Sequence, residues 1–102
     1  MIALLQSKRE KIAALCQQYR VRRLEVFGSA AVGPFDAQTS DLDFLVDFHP
    51  LGPGERADAY FGLLEDLQGL FQRPVDLVML RAVSNPYFSR AIDQTREVLY
   101  AA

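Results

Sequence analysis

The chain's 102 residues predict an α/β (α+β) domain, a small mixed sheet of three to four strands packed with helices. Three observations lead there. Apolar-rich segments at about 23–27, 41–48 and 74–80 have strand length and, in the second, an alternating apolar set. Segments at about 2–19 and 55–70 carry apolar residues at three-and-four spacing, the stripe of an amphipathic helix. Breaker-rich stretches separate the two kinds. At this length one domain is expected, taken as residues 1–102, with a radius of about 13 Å and a modest core.

The first helix is marked by Ile2, Leu5, Ile12, Leu15, Cys16 and Tyr19. Leu24, Val26 and Phe27, with Glu25 among them, form a short strand that leaves through Gly28-Ser29 into Ala30-Ala31, where a short helix starts. A loop through Gly33-Pro34-Phe35-Asp36 ends at Ser40. In the next strand Leu42, Phe44, Val46 and Phe48 make the apolar face, while Asp41, Asp43, Leu45 and Asp47 occupy the other. His49-Pro50-Leu51-Gly52-Pro53-Gly54 breaks the chain, and Tyr60, Leu63, Leu64, Leu67 and Leu70 mark a helix crossing to the third strand. That crossover makes the second and third strands parallel if they are neighbours. Asn85 as N-cap and Pro86 at the first helical position open a last helix, and Val98-Leu99-Tyr100 suggest a final strand.

Composition narrows the function. Half the residues are hydrophobic and 24% are charged, which excludes a disordered chain. A net charge of -2 leaves no broad basic footprint, so direct nucleic-acid binding is not expected. The local run Arg20, Arg22, Arg23 reads as a solvated helix end. The single cysteine, Cys16, excludes an internal disulfide and a cysteine-rich zinc site. Lys8, Arg9, Glu10 and Lys11 interrupt any signal-peptide stretch, and no apolar run is long enough to span a bilayer. A cytoplasmic protein without a membrane partner is expected.

The chemistry concentrates in five residues. A strand places Asp41 and Asp43 on one face, about 6.6 Å apart along the backbone. Two like charges side by side are unfavourable without a cation between them, and Mg²⁺ accepts one or two carboxylates and completes its shell with water and phosphate. Gly28-Ser29, a strand end at a helix start, offers free backbone N–H groups, with no Cβ to hold a phosphate away and a hydroxyl beside it. Asp76 lies inside the run Val75 to Leu80, where an unpartnered acid is costly, and a favourable register sets it beside Asp43. Each piece has a bland reading: Asp41 capping a turn after Thr39-Ser40, Gly28-Ser29 as a simple helix cap, Asp76 on an edge strand.

Phe27-Gly28-Ser29-Ala30-Ala31-Val32-Gly33, Ser40-Asp41-Leu42-Asp43-Phe44-Leu45-Val46 and Arg73-Pro74-Val75-Asp76-Leu77-Val78 together resemble the minimal nucleotidyltransferases of the DNA polymerase beta-like superfamily, from about Leu24 to Tyr100. The resemblance implies that Gly28 and Ser29 hold the phosphates of ATP, that Asp41 and Asp43 bind two Mg²⁺ ions, and that Asp76 completes the metal site and helps activate the attacking hydroxyl. It further implies a partner. Relatives of this size are often antitoxins that silence a HEPN-domain toxin, a ribonuclease, by binding it and adding AMP to a tyrosine. One departure stands out: Val32 occupies a position where relatives commonly carry Arg, so Arg22, Arg56 and Arg73 become candidates to supply that charge.

Two other functions compete. A module of this fold could neutralise its partner by contact alone, with Val32 as the mark of decayed catalysis; retention of all three acids argues against it. A small-molecule nucleotidyltransferase needs a domain to grip its acceptor, for which the chain has no length. His49, the single histidine, leaves a Ser-His-Asp hydrolase conceivable, but its place before Pro50 reads as a turn. Tyr60, Phe61, Tyr87 and Phe88 read as core or partner-facing aromatics rather than base-stacking ones.

Overall fold

A computed structural model describes residues 1–36 and 40–102. Two short helices, α1 (Ala3–Ser7) and α2 (Arg9–Gln18), lead into strand β1 (Val21–Phe27). Helix α3 (Ser29–Val32), strand β2 (Leu42–Phe48), helix α4 (Pro53–Phe71) and strand β3 (Val75–Met79) follow. A 3-10 turn (Leu80–Ala82), helix α5 (Pro86–Thr95) and strand β4 (Glu97–Ala101) complete the chain. The four strands form one mixed sheet in the order β3-β2-β1-β4. β1 is antiparallel to β2 and β4. The α4 crossover makes β2 and β3 parallel, with Asp43 opposite Asp76.

Alternation along the strands sorts the two faces. Leu24, Val26, Leu42, Phe44, Val46 and Leu77 are buried together with Leu5, Ile12 and Cys16 of α1 and α2 and with Leu63, Leu67 and Phe71 of α4. This is the main core. On the other face Phe27 and Leu45 bury against Ile92 of α5, so the face carrying the acids is partly roofed by a helix rather than open along its length. Cys16 is buried and free, its thiol pushed up to about 12 by that burial. Among the described residues no helix is long and apolar enough to cross a membrane.

Several boundaries differ from expectation for identifiable reasons. The first helix, expected unbroken over 2–19, breaks at Lys8 (φ -107°, ψ 10°), which ends α1 and caps α2. The start of the chain is tied elsewhere: the N-terminal ammonium pairs with Glu97 at 2.9 Å and the Ile2 N–H donates to the Ala30 carbonyl at 3.0 Å. β1 begins two residues earlier than expected, across an irregularity between Val21 and Arg23. α4 begins at Pro53, which suits a first helical position because its missing N–H needs no partner there. The suggested final strand is β4, an edge strand antiparallel to β1. Asn85 caps α5 as expected, its Oδ1 accepting from the Tyr87 and Phe88 N–H groups.

Candidate functional site

β1 ends at Phe27, the register partner of Asp43, so the next residue must turn beside that carboxylate. Gly28 does so with φ 72° and ψ -149°, a region essentially reserved for glycine. A Cβ there would sit 2.7 Å from Asp43 Oδ2. Backbone freedom and close approach therefore require the same glycine.

The turn's hydrogen bonds revise one expectation. The Gly28 N–H is taken, donating to Thr95 Oγ1 at 2.8 Å at the end of α5. The Gly28 carbonyl accepts from the Ala31 and Val32 N–H groups at 3.1 and 3.3 Å. The N–H groups of Ser29 and Ala30 and the Ser29 hydroxyl have no partner among the described residues. They are the donors available to an anion at this turn. With four residues, α3 offers N–H groups rather than a substantial dipole.

Asp43 is half-buried, while Asp76 opposite it and Asp41 before the strand are exposed. Parallel neighbours stand about 4.8 Å apart in a sheet, so Asp43 and Asp76 face the same way across one strand spacing. Burial raises the Asp43 carboxyl to about 6, and the charges of Asp76 and then Asp41 add to it. The corner therefore holds more negative charge than it can comfortably ionise. Among the described residues no three acids, histidines or cysteines form a ready-made metal cage. Asp43 and Asp76 are paired by the sheet, and Asp41 stands at the rim. The turn reading that involved Thr39 lies outside the described residues.

The basic candidates separate sharply. Arg73 lies just before β3, at the acid end of the sheet, with its guanidinium 5.3 Å from the Phe35 ring centroid. Its Nε and Nη1 are buried and have no hydrogen-bond partner among the described residues, an arrangement that costs about 1–3 kcal/mol per group. Arg22 and Arg56 line a hollow shared with Phe48 and His49. From Asp43 to Phe48 the strand runs about 16 Å, so neither arginine stands with the acids. His49 lines the same hollow, in which no serine stands among the described residues, so the hydrolase reading finds no nucleophile there.

The four aromatics differ in burial. Tyr60 is half-buried, its hydroxyl donating to the Leu77 carbonyl at 2.6 Å. Its ionisation is pushed up by burial and then by Asp76. Phe61 packs edge-on against Tyr60, and Phe88 against Phe27, while Tyr87 is exposed.

Sequence reasoning missed Thr95 and a buried ion pair. Glu25, 3% exposed, accepts from Arg96 Nε at 3.0 Å and from Nη2 of the same guanidinium, with Arg23 Nε at 3.4 Å. The Arg96 hydrogen bonds hold the Glu25 carboxyl below the ordinary range although burial opposes them. The signal was present: Glu25, like Asp76, is an acid inside an apolar strand and needs a partner.

Residues 10–102 match the model of the family described as polymerase beta, nucleotidyltransferase. Two proteins of Methanocaldococcus jannaschii, both provisionally named protein adenylyltransferases, are similar to this chain. One is 35% identical over 89 residues, covering 85% of this chain and 83% of the relative; the other is 31% identical over 87 residues with the same coverage. A solved structure provisionally described as a minimal nucleotidyltransferase superposes with a TM-score of 0.66 at 30% identity, covering 91% of this chain and 90% of that one. The fold is also that of a chain in the complex of a tri-AMPylated Shewanella oneidensis HEPN toxin with an MNT antitoxin. That match has a TM-score of 0.66 at 22% identity and covers 96% of this chain and 73% of the other.

Proposed function

The chain belongs to the polymerase beta nucleotidyltransferase family, and on that premise we propose that it transfers AMP from ATP to a hydroxyl of a partner protein. The observation that carries this reading is Asp43 set between the Gly28 turn and Asp76. A phosphate-accepting turn and a pair of acids in need of a cation share one sheet corner.

The donor set fits Mg²⁺. Every candidate ligand is a carboxylate oxygen, the preference of a hard cation, and two carboxylates suffice because the substrate's own phosphates complete the shell. Asp41, Asp43 and Asp76 would hold two such ions, which supply Lewis-acid stabilisation of the phosphoryl oxygens when bound. The residues of the chain do the rest. The free N–H groups of Ser29 and Ala30, with the Ser29 hydroxyl, orient the terminal phosphates. Asp76, exposed at the rim, meets the incoming acceptor hydroxyl and receives its proton as that oxygen bonds the α-phosphorus. The bond from the α-phosphorus to the bridging oxygen breaks, and pyrophosphate leaves. Arg73, just before β3, is the candidate for the charge that Val32 does not offer.

The acceptor reading rests on similarity. The relatives named as protein adenylyltransferases support a protein as acceptor. The fold shared with a chain of the complex of a tri-AMPylated HEPN toxin with an MNT antitoxin supports a HEPN-domain toxin as partner and a role as antitoxin; a tyrosine as acceptor and a cytoplasmic location belong to the same proposal. The test uses Asp41→Ala combined with Asp43→Ala. Wild type and variant are incubated with Mg²⁺, α-labelled ATP and the protein encoded beside this one, and label and mass are followed on that protein. Label with wild type alone supports transfer. Full neutralisation of the partner by both proteins, with no nucleotide mass added by either, would leave an antitoxin that acts by binding.

A further inference from the structure

The far end of the sheet has an opposite electrostatic character that nucleotide transfer does not use. Beyond Phe48 lies a hollow of about 170 Å³, and its polar lining is Arg22, Arg56, Arg81, His49 and a single acid, Asp47. That acid is already occupied: Asp47 Oδ2 accepts from Arg22 Nη2 at 2.6 Å and from Arg22 Nε at 3.0 Å. Among the described residues Arg56 makes one side-chain hydrogen bond, from Nη2 to the Leu51 carbonyl at 3.1 Å, which leaves its other donors without a partner there. The side chains of Arg81 and His49 have no hydrogen bond or ion pair among the described residues. Two guanidinium groups and an imidazole are thus turned on one small space with no anion left to answer them.

Converging cations repel one another unless an anion sits between them. The guanidinium fork matches the oxygens of a phosphoryl group and binds them in pairs. The hollow also lies beside the first turn of α4, a 19-residue helix, whose positive end favours the same charge. Size limits the occupant. Pockets for drug-sized ligands run to roughly 300–1,000 Å³, so this hollow admits a single phosphoryl group but not a whole nucleotide. We propose that it is a binding site for one phosphoryl group, separate from the acid corner and about 16 Å along β2 from Asp43.

The phosphoryl group could be free inorganic phosphate or the end of a nucleoside monophosphate whose base lies outside the hollow. Calorimetric titration at fixed ionic strength with inorganic phosphate, and separately with AMP, distinguishes the two. Wild type should bind phosphate saturably, and Arg81→Gln should weaken it about ten-fold or more, as expected for loss of a charge-assisted hydrogen bond. Asp43→Asn should leave it unchanged. Tighter binding of AMP than of phosphate, with the same dependence on Arg81, identifies a nucleotide end as the source; equal or weaker binding identifies the free ion. Arg81 is exposed, so its variant should keep the wild-type circular dichroism spectrum; Arg56→Gln serves as a second variant. Absence of saturable binding, binding unaffected by both arginine variants, or binding abolished by Asp43→Asn overturns the proposal. The outcome is independent of whether the acid corner transfers AMP.

Discussion

Glu25 and Asp43 occupy neighbouring strands on the same face of the sheet, yet their surroundings are opposite. Glu25, opposite Leu45, is buried and clasped by Arg96. Its carboxyl is held below the ordinary range. Asp43, opposite Phe27, is half-buried with no cation among the described ion pairs, and is raised to about 6 by burial and by two like charges. One acid is satisfied by the fold, and the other is left to be satisfied by something that binds. The end of α5 serves both: Arg96 anchors Glu25, and Thr95 beside it holds the Gly28 N–H. A single helix terminus thus fixes the sheet and aims the turn at the unsatisfied acid.

The largest effect expected from breaking this contrast is on activity. Asp43→Asn removes charge and almost no volume, so the fold should persist while AMP transfer falls roughly a thousand-fold, about 4 kcal/mol in activation free energy. Single-turnover labelling of the partner measures it. A variant retaining a tenth of wild-type transfer would mean that Asp43 is as structural as Glu25.

The converse substitution should spare the chemistry less directly and damage the fold. Glu25→Ala leaves Arg96 without its main partner. Loss of one member of a buried pair costs about 3–5 kcal/mol, but the Arg96 side chain keeps 31% exposure and Asp93 at 2.8 Å. About 2 kcal/mol of stability should therefore be lost, read as a lower urea midpoint with an unchanged slope. A midpoint equal to that of wild type would show that the pair contributes nothing net.

Gly28 joins the two halves of the comparison. Gly28→Ala forces a side chain into a glycine region, at about 1–3 kcal/mol, and drives its methyl against Asp43 Oδ2. A loss of about 2–3 kcal/mol is expected. Combining it with Asp43→Ala removes the obstructing carboxylate, so the double variant should be less destabilised than the sum of the singles. Strict additivity in thermal melts would place the whole cost in the backbone.

What could be read in advance followed from short-range rules. Period-two alternation set Leu42, Phe44, Val46 and Phe48 against Asp41 and Asp43, and a helix between two strands made β2 and β3 parallel, which leaves little freedom for Asp76 except the register. The missing pieces join residues far apart in sequence. Glu25 with Arg96 spans 71 positions, and Gly28 with Thr95 spans 67; no local pattern couples them, although an acid in an apolar strand announces that a partner exists. The N-terminal ammonium with Glu97 likewise joins the two ends of the chain. Arg22, Arg56 and Arg73 looked equivalent as spare cations because a sequence does not say at which end of a strand a side chain gathers. The sheet does: Arg22 and Arg56 gather beyond Phe48, while Arg73 precedes β3 with its guanidinium on Phe35.

The smallest expected effect is also the most specific to Asp43, a pH dependence of the metal-free protein. A carboxyl at about 6 in the folded state and about 3.9 when unfolded binds more protons folded than unfolded between those values, so stability falls as pH rises from about 4 to 6. Above 6 the penalty is complete and flat. The shift corresponds to about 3 kcal/mol before solvent screening, and the partial exposure of Asp43 reduces that to about 1 kcal/mol. Glu25 acts with the opposite sign: its contribution is present above its unfolded value and is lost as pH falls through its lowered folded one. The two limbs therefore separate, Asp43 governing pH 4 to 6 and Glu25 the more acidic range. Urea melts across that span should show wild type losing about 1 kcal/mol between pH 4 and 6, while Asp43→Asn stays level there and retains the acid limb. A wild-type profile as flat as that of the variant would mean that the Asp43 carboxylate is already satisfied within the fold, and the contrast with Glu25 would fail.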